Sequence, residues 1–216
     1  MARISLAYPK IPGSAHAPAD QCLAFEKYDG TNIHWVWDRE LGWYAFGMRR
    51  NRYDLDDDGI AEFNRLHPDY PEAVALFRQD FASPLELVFQ SDEFAGFSEA
   101  VVFTEYLGAT SFAGRHRESD EKRLVLFDVQ TTDGIMPPAE FVETFASLPI
   151  ARVIYKGRLS GRFITDVREG RYDVEEGVVC KGGQSQDDLW MVKIKTNAYQ
   201  QRLKAAFAGD WESYWE

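Results

Sequence analysis

The stretch Phe25-Glu26-Lys27-Tyr28-Asp29-Gly30-Thr31-Asn32 decides how this chain can fold and what it can do. A lysine stands two residues before an Asp-Gly pair, and an apolar run, residues 33–37, follows the stretch directly. Asp-Gly is a tight-turn signal and the flanking residues favour strands, so the pattern predicts a β-hairpin. Lys27 would then lie on rigid backbone beside a carboxylate, where a lysine that loses its proton can act as a nucleophile. The ordinary alternative is an exposed surface lysine.

The composition is that of a well-packed acidic protein of 216 residues. Apolar residues make up 45% and aromatic residues 14%, which is enough for a sizeable, β-rich core. The net charge of −11 and the pI near 4.9 argue against a simple nucleic-acid-coating protein, although an enzyme with a local basic groove remains possible. The N-terminus lacks an apolar signal core, and no run approaches the roughly 20 apolar residues that span a bilayer. The length fits one domain over residues 1–216, and the missing apolar segments predict no membrane association. The absence of a signal core and the presence of only two cysteines predict a cytoplasmic protein with reduced thiols.

Hydrophobic periodicity predicts an α+β domain in which antiparallel sheets dominate. Strands are predicted at residues 22–27, 32–37, 43–50, 100–107, 123–130, 174–181 and 190–195. Helices are predicted at residues 59–66, 71–80, 137–148, 159–168 and 198–208. Residues 54–59 are similar to the opening of a calcium loop, but Arg65 stands where that loop needs a glutamate. We therefore interpret them as an acidic turn that leads into a helix.

Charged residues recur on or beside the apolar strands, where an unpaired charge is costly to bury. They are Lys27, Asp29, Arg50, Glu105, Asp128, Glu176, Lys181, Lys193 and Lys195. In Val192-Lys193-Ile194-Lys195 the alternation points both lysines to one face of the strand, where they form a ready phosphate site. Their positive potential is expected to lower the pKa of Lys27.

Six segments, in this order, resemble the motifs of the covalent nucleotidyltransferase superfamily of DNA ligases, RNA ligases and mRNA capping enzymes. The closest likeness is to the ATP-dependent RNA ligases of the RNA ligase 2-like group, as an adenylyltransferase domain. The segments are residues 26–32, with the Lys-x-Asp-Gly motif, and residues 48–51, 103–108, 126–129, 176–181 and 192–195. The resemblance spans residues 22–195. It implies a nucleotidyltransferase (ATP-grasp-like ligase) core of antiparallel sheets with flanking helices and a nucleotide cleft between them.

The resemblance also implies a reaction and a set of roles. Lys27 attacks the α-phosphate of ATP, AMP passes from the lysine to a 5′-phosphate end, and a 3′-hydroxyl displaces it to seal the strand. Asp29, Glu176, Lys193 and Lys195 complete the catalytic set. In the nucleotide site, Lys193 and Lys195 hold the phosphates with help from Lys181. Phe127 stacks on adenine, Glu105 binds the ribose, and Arg50 binds phosphate or ribose. Glu26 and Asn32 contribute further contacts. Asp29, Glu105 and Glu176 gather around a hydrated Mg²⁺ (or Mn²⁺), which tends to keep its waters when carboxylates bind it.

The sequence departs from the family pattern in two respects. Ligases of the superfamily usually carry an OB-fold or a helical domain after the last motif, whereas only residues 196–216 follow here. The overall charge is acidic, and phosphate contacts dominate nucleic-acid affinity. We therefore expect good self-adenylylation but poor sealing of nucleic-acid ends, RNA or nicked duplex, unless a partner protein supplies the missing grip. Candidates for a local basic rim are Arg115, Arg117, Lys122, Arg123, Arg158 and Arg162.

Several alternatives stay open. A DNA ligase and a GTP-dependent capping-type guanylyltransferase share the same motifs, and a non-catalytic nucleotide-binding module is disfavoured by the intact lysines and carboxylates. Cys180 is interpreted as a core residue and His34 as a hydrogen-bonded structural histidine. The aromatic tail with Trp211, Tyr214 and Trp215 either docks on this domain or contacts a partner.

Overall fold

The computed structural model describes residues 7–49, 51–108 and 119–207. The strands are β1 (Gln21–Lys27), β2 (Thr31–Asp38), β3 (Gly42–Gly47), β4 (Tyr53–Asp54), β5 (Glu99–Leu107), β6 (Arg123–Thr131), β7 (Gly134–Ile135), β8 (Val153–Arg158), β9 (Gly177–Gly182) and β10 (Trp190–Lys195). The helices are α1 (Asp57–Leu66), α2 (Ala73–Phe77), α3 (Ser83–Phe89), α4 (Pro138–Phe145), α5 (Gly161–Arg168) and α6 (Asn197–Phe207). One π-helical turn, Arg78–Ala82, joins α2 to α3, and single 3₁₀ turns lie at Ser14–His16 and Asp92–Phe94. Within these ranges no helix is long and apolar enough to cross a membrane.

The smaller sheet has four strands in the order β10-β9-β1-β8, and every pair in it is antiparallel. One face of this sheet packs on α5, because alternate residues of β1, β9 and β10 are small or apolar. Phe163 and Val167 supply the helix side of that contact, and Cys22 and Cys180 lie on the sheet side as buried free thiols. The prediction that Cys180 is a core residue is confirmed. The opposite face of β1 carries Lys27.

The larger sheet has six strands in the order β4-β3-β2-β5-β6-β7, also antiparallel throughout. One face is covered by α1–α4 and holds the main core, which is dense in aromatic rings. The Trp35 ring stacks on Phe77 with centroids 4.0 Å apart, and its indole N–H donates to Thr104. The other face carries a smaller apolar cluster around Phe103. These two antiparallel sheets with flanking helices confirm the predicted fold class.

The Asp29-Gly30 turn does not close a hairpin, so the first structural prediction was wrong. Each flanking strand already has a partner on both edges: β8 and β9 beside β1, and β3 and β5 beside β2. The turn therefore carries the chain from one sheet to the other. Gly30 is required there, because a Cβ atom would lie 2.4 Å from the carbonyl oxygen of Tyr106.

Most predicted elements are present, with a few differences. Strand β8 was not predicted, because it is an edge strand in which exposed and half-buried residues mix without a clear apolar face. The predicted strand 43–50 ends at Gly47, since Arg49 adopts a left-handed backbone with φ 52°. Helix α3 was also missed. The acidic turn leads into α1 as predicted, and the Asp56 carboxylate caps that helix by accepting from the Gly59 N–H.

Candidate active site

A cavity of about 490 Å³ lies between the two sheets. Its lining includes six residues that were predicted for the nucleotide site: Glu26, Lys27, Asn32, Glu105, Phe127 and Lys181. Tyr8, Arg49 and Tyr70 line it as well, although sequence reasoning had not singled them out. The volume falls in the range of ordinary small-ligand sites. The cavity is therefore large enough for a nucleotide.

Three neighbouring strands bring two of the three predicted catalytic lysines to one carboxylate. Lys27 is opposite Gly177 across β1 and β9, and Gly177 is opposite Lys195 across β9 and β10. The Lys27 Nζ atom lies 2.9 Å from Glu176 Oε1, and the Lys195 Nζ atom lies 3.8 Å from the same oxygen. Glu176 is only 3% exposed, so its charge is compensated by these two cations rather than by solvent.

The close packing depends on Gly177, which begins β9 with φ 154°. A Cβ atom at this position would lie 1.9 Å from the carbonyl oxygen of Ile194 in β10. Glycine therefore lets β9 approach β10 closely enough for Glu176 to reach both lysines. This gives a physical reason for the Glu-Gly pair at the start of the predicted motif.

The pKa of Lys27 is raised, which corrects the prediction that it is lowered. Burial lowers this pKa, but the charges of Glu176, Glu105 and Asp29 together raise it by more. The predicted lowering does not occur because three carboxylates act on the Lys27 ammonium. Lys195, which was expected to lower the pKa of Lys27, instead forms an ion pair with one of them, Glu176. Attack by Lys27 thus requires that this negative charge be offset.

The nearby cations do not fully neutralise the carboxylates around Lys27. Burial raises the pKa of Glu105 to about 7, Lys27 lowers it, and the charges of Glu176 and Asp29 raise it further. The Gly30 N–H donates to Glu105 at 3.1 Å. Burial also raises the pKa of Glu176. A cation would relieve this crowding, so the residues fit the predicted Mg²⁺ or Mn²⁺ chemically.

No group of three or more histidine, cysteine, aspartate and glutamate side chains is arranged to hold a metal ion directly within the described ranges. An ion that keeps its waters does not need such a group, because its hydration shell spans the gap to the carboxylates. The metal set of Asp29, Glu105 and Glu176 accordingly stays a prediction.

Phe127 and Lys181 form another part of the cavity wall. The Phe127 ring is partly buried and meets the Tyr8 ring edge-on, with centroids 5.1 Å apart. The Lys181 ammonium is buried, 2.6 Å from Asp128 Oδ1 and 2.7 Å from the Phe127 carbonyl oxygen. The Tyr8 hydroxyl donates to the same Asp128 carboxylate. Lys181 therefore forms an ion pair with Asp128, next to the Phe127 ring that was predicted to stack on adenine.

Tyr8 reaches the cavity because the lead-in before β1 is laid along the edge of β10. The Lys193 N–H donates to the Pro12 carbonyl oxygen at 2.9 Å, and Gly13 forms a parallel bridge with Lys193. These contacts fix the direction of the segment that precedes them. Sequence reasoning treated this segment as irregular, and its proline-rich composition gave no signal for a site residue.

Asn32, Glu26 and Lys193, which were also predicted for the nucleotide site, differ in their position relative to the cavity. Asn32 is opposite Glu105 across β2 and β5, and both line the cavity. The Glu26 carboxylate is 3.0 Å from the Arg152 Nε atom, although the residue borders the cavity. Lys193 is half-buried on the same side of β10 as Lys195.

Further predicted residues lie outside the described ranges or away from the cavity. The first group comprises Arg50, Arg115, Arg117, Trp211, Tyr214 and Trp215. Of the described candidates for a basic rim, Lys122 pairs with Glu72 at 2.6 Å and Arg162 with Asp166 at 3.7 Å. The residue before Arg50, the left-handed Arg49, borders the cavity.

His34 is buried on β2 between Gly47 and Phe103, which offer no side-chain hydrogen-bond partner. Neither ring nitrogen has a partner among the described residues, so the interpretation as a hydrogen-bonded structural histidine was wrong. Burial lowers the pKa of His34 to about 4, and the imidazole is neutral at physiological pH.

No protein-family model and no curated protein matches the sequence, but several solved structures match the fold. An archaeal ATP-dependent RNA ligase is 17% identical with a TM-score of 0.54, over 94% of this chain and 52% of its own. A mutant of the Naegleria gruberi RNA ligase, with ATP and Mn, is 12% identical with a TM-score of 0.62, over 93% and 59% of the two chains. A candidate ATP-dependent DNA ligase from Aquifex aeolicus is 18% identical with a TM-score of 0.50, over 96% and 56%.

The chain shares the fold of these RNA ligases and of the candidate DNA ligase, in agreement with the fold that the motifs predicted. RNA ligases and a candidate DNA ligase share this fold, and one of the RNA ligase structures contains ATP and Mn. The chain spans between about half and three fifths of the length of these proteins.

Proposed function

We propose that the protein is an ATP-dependent RNA ligase that acts through a covalent lysine–AMP intermediate. The observation that carries the proposal is the position of Lys27, which borders a nucleotide-sized cavity and contacts the buried Glu176. Its Nζ atom attacks the α-phosphate of ATP. A nitrogen–phosphorus bond forms, the bond to the leaving oxygen breaks, and pyrophosphate departs with its electron pair. The Lys27 ammonium loses one proton to solvent or to a neighbouring carboxylate before the attack, and the nitrogen loses a second proton to solvent once its bond to phosphorus has formed.

The cavity wall offers neighbours for the adenine and the ribose, and strand β10, whose lysines are not part of that wall, offers them for the phosphates. The Phe127 ring is partly exposed to the cavity and is assigned to the adenine, with Tyr8 beside it. Glu105 and Asn32 lie together on adjacent strands and are assigned to the ribose. Lys193 and Lys195 share one face of β10 and are assigned to the phosphates. Phosphoryl transfer needs mainly positioning and charge stabilisation, which this arrangement supplies.

Asp29, Glu105 and Glu176 are the residues that would hold Mg²⁺ or Mn²⁺ through its waters. When bound, the ion supplies positive charge that favours the neutral form of Lys27. The protein's own contribution is the carboxylate cluster, which keeps Lys27 aligned by the 2.9 Å contact with Glu176.

Joining of RNA ends, and an RNA-repair role in the cytoplasm, are the further parts of the proposal. AMP passes to a 5′-phosphate, and a 3′-hydroxyl then displaces it. The net charge of −11 opposes tight binding of a polyanion, so we expect sealing to need a partner protein that supplies cationic contacts. Nicked RNA, nicked DNA and mixed duplexes, each at low and physiological salt, test the substrate. Efficient sealing of any of them by the purified protein at physiological salt would exclude the need for a partner.

The primary test is transfer of label from ATP labelled at the α-phosphate in the presence of Mg²⁺, followed on a denaturing gel. We expect label on the wild-type protein and none on Lys27→Ala. The matched control is Lys156→Ala, which removes an exposed lysine from edge strand β8 and should label like the wild type. Label from GTP instead of ATP would favour the guanylyltransferase, and label that persists on Lys27→Ala would refute Lys27 as the nucleophile.

A further inference from the structure

Helix α6 inserts one tyrosine among the proposed catalytic residues. Tyr199 is 1% exposed, and its hydroxyl donates to Asp29 Oδ1 at 2.8 Å across 170 residues of sequence. No motif of the sequence pointed to this residue. Because the hydrogen bond is partly buried and its acceptor is a carboxylate, it belongs to the stronger class of hydrogen bonds in proteins.

The ring of Tyr199 contacts the site as well as its hydroxyl. The Lys195 ammonium lies 5.3 Å from the ring centroid, within the range of a cation–π interaction. The same ammonium is 3.8 Å from Glu176 Oε1, which Lys27 also contacts. Tyr199 thus touches two residues of the proposed catalytic set, Asp29 through its oxygen and Lys195 through its face.

The backbone holds Tyr199 in this position. Thr196 follows β10 directly, and its hydroxyl accepts from the Tyr199 N–H at 3.1 Å at the start of α6. That hydroxyl also donates to the Glu175 carbonyl oxygen, and the Thr196 N–H donates to that of Glu176. The first turn of α6 is therefore fixed to the start of β9, so Tyr199 is held on the same framework as Glu176.

We propose that Tyr199 is a positioning residue for the adenylyl transfer, and that it holds the Asp29 carboxylate and the Lys195 ammonium in the orientation that the reaction uses. The inference rests on the proposed function, because it concerns the same reaction. It adds a residue on α6, beyond the last predicted motif. Asp29 is half-buried, and its charge acts on Lys27. Without the Tyr199 hydroxyl, the Asp29 carboxylate loses the hydrogen bond on its Oδ1 atom and is less firmly oriented relative to Lys27.

The test is Tyr199→Phe, which keeps the ring and its contact with Lys195 but removes the hydroxyl. Label transfer from ATP is followed in single turnover over a range of ATP concentrations. We expect the rate at saturating ATP to fall about tenfold, as for loss of a hydrogen bond to a charged group. We expect the half-saturating ATP concentration to stay unchanged, because the hydroxyl acts on aligned groups and not on nucleotide binding.

Tyr155→Phe is the matched control. It also deletes the phenol hydroxyl of a partly buried tyrosine on the α5 side of the smaller sheet, but this hydroxyl donates to the Arg158 carbonyl oxygen in an exposed hydrogen bond, away from the proposed site. It should label at the wild-type rate. Thermal unfolding of both variants shows whether either has lost the fold.

Each outcome decides something. A folded Tyr199→Phe that labels at the wild-type rate overturns the inference alone. A changed half-saturating ATP concentration with an unchanged saturating rate also overturns it, because Tyr199 would then serve binding. If Tyr199→Phe melts far below the wild type while Tyr155→Phe does not, and the rate per folded molecule is normal, the residue is structural. No label on the wild type refutes the proposed function, and the inference falls with it.

Discussion

Replacing Glu105 by glutamine should change how stability depends on pH. The carboxyl has a pKa raised to about 7, mainly by burial, whereas an unfolded chain leaves a glutamate near its ordinary value of about 4.3. Between these two values the folded protein binds more protons than the unfolded one, so stability falls as pH rises. The full difference is about 4 kcal/mol, and about 2–3 kcal/mol of it is lost between pH 5 and pH 8.

Glutamine cannot ionise, but it keeps an oxygen that accepts from the Gly30 N–H. We therefore expect Glu105→Gln to gain stability relative to the wild type as pH rises from 5 to 8, with a relative shift in Tm of about 5–10 °C. Unfolding by urea and by heat at a series of pH values, without divalent cations, measures it. Glu140→Gln, an exposed change on α4, controls for the loss of one charge. A stability difference between Glu105→Gln and wild type that is flat from pH 5 to pH 8 would refute the reasoning.

Three further changes test other parts of the structure. Asp128→Asn leaves the buried Lys181 ammonium without its counter-ion and should lower the free energy of unfolding by about 3–5 kcal/mol in urea; a loss under about 1 kcal/mol would contradict the ion pair. His34→Leu should make the free energy of unfolding less sensitive to acid, because the pKa of His34 is lowered to about 4 and the wild type loses up to about 3 kcal/mol of stability as pH falls from 6.5 toward 4. Acid-unfolding curves of the variant and the wild type that run parallel would argue against this. Gly30→Ala brings a methyl group into the Tyr106 carbonyl oxygen and should cost about 1–3 kcal/mol in thermal unfolding, whereas an unchanged Tm would show that the turn can yield.

The sequence predicted the residue types of the site better than their environment. Alternation along β10 correctly placed Lys193 and Lys195 on one face, since side-chain direction in a strand is a local property. The pKa of Lys27 could not be predicted in the same way. It depends on Glu105 and Glu176, which lie on β5 and at the start of β9, and strand pairing alone determines which charges come close.

Pairing also explains the hairpin error. The sequence shows a turn at Asp29-Gly30, but only the sheet order reveals that β1 already pairs with β8 and β9. Tyr8 and Tyr199, two of the tyrosines that the sequence analysis overlooked, were missed for a related reason. Tyr8 lies in a segment without periodicity, and Tyr199 lies in the first turn of a helix, where an aromatic residue is most simply explained by packing. Their roles follow from contacts with residues far along the chain.

The strand order also determines when the site can form as the chain is synthesised. Strands β2 to β7, residues 31–135, contain every pairing of the larger sheet. Strand β1 precedes them, yet its partners β8 and β9 begin at Val153 and Gly177. Pairing between strands so far apart in the sequence is slow, because the long loop between them must close, at a cost in conformational entropy, before any stabilising contact forms. We therefore expect the strand that carries Lys27 to wait, unpaired, while the larger sheet folds, so that the nucleotide site is among the last parts of the protein to form.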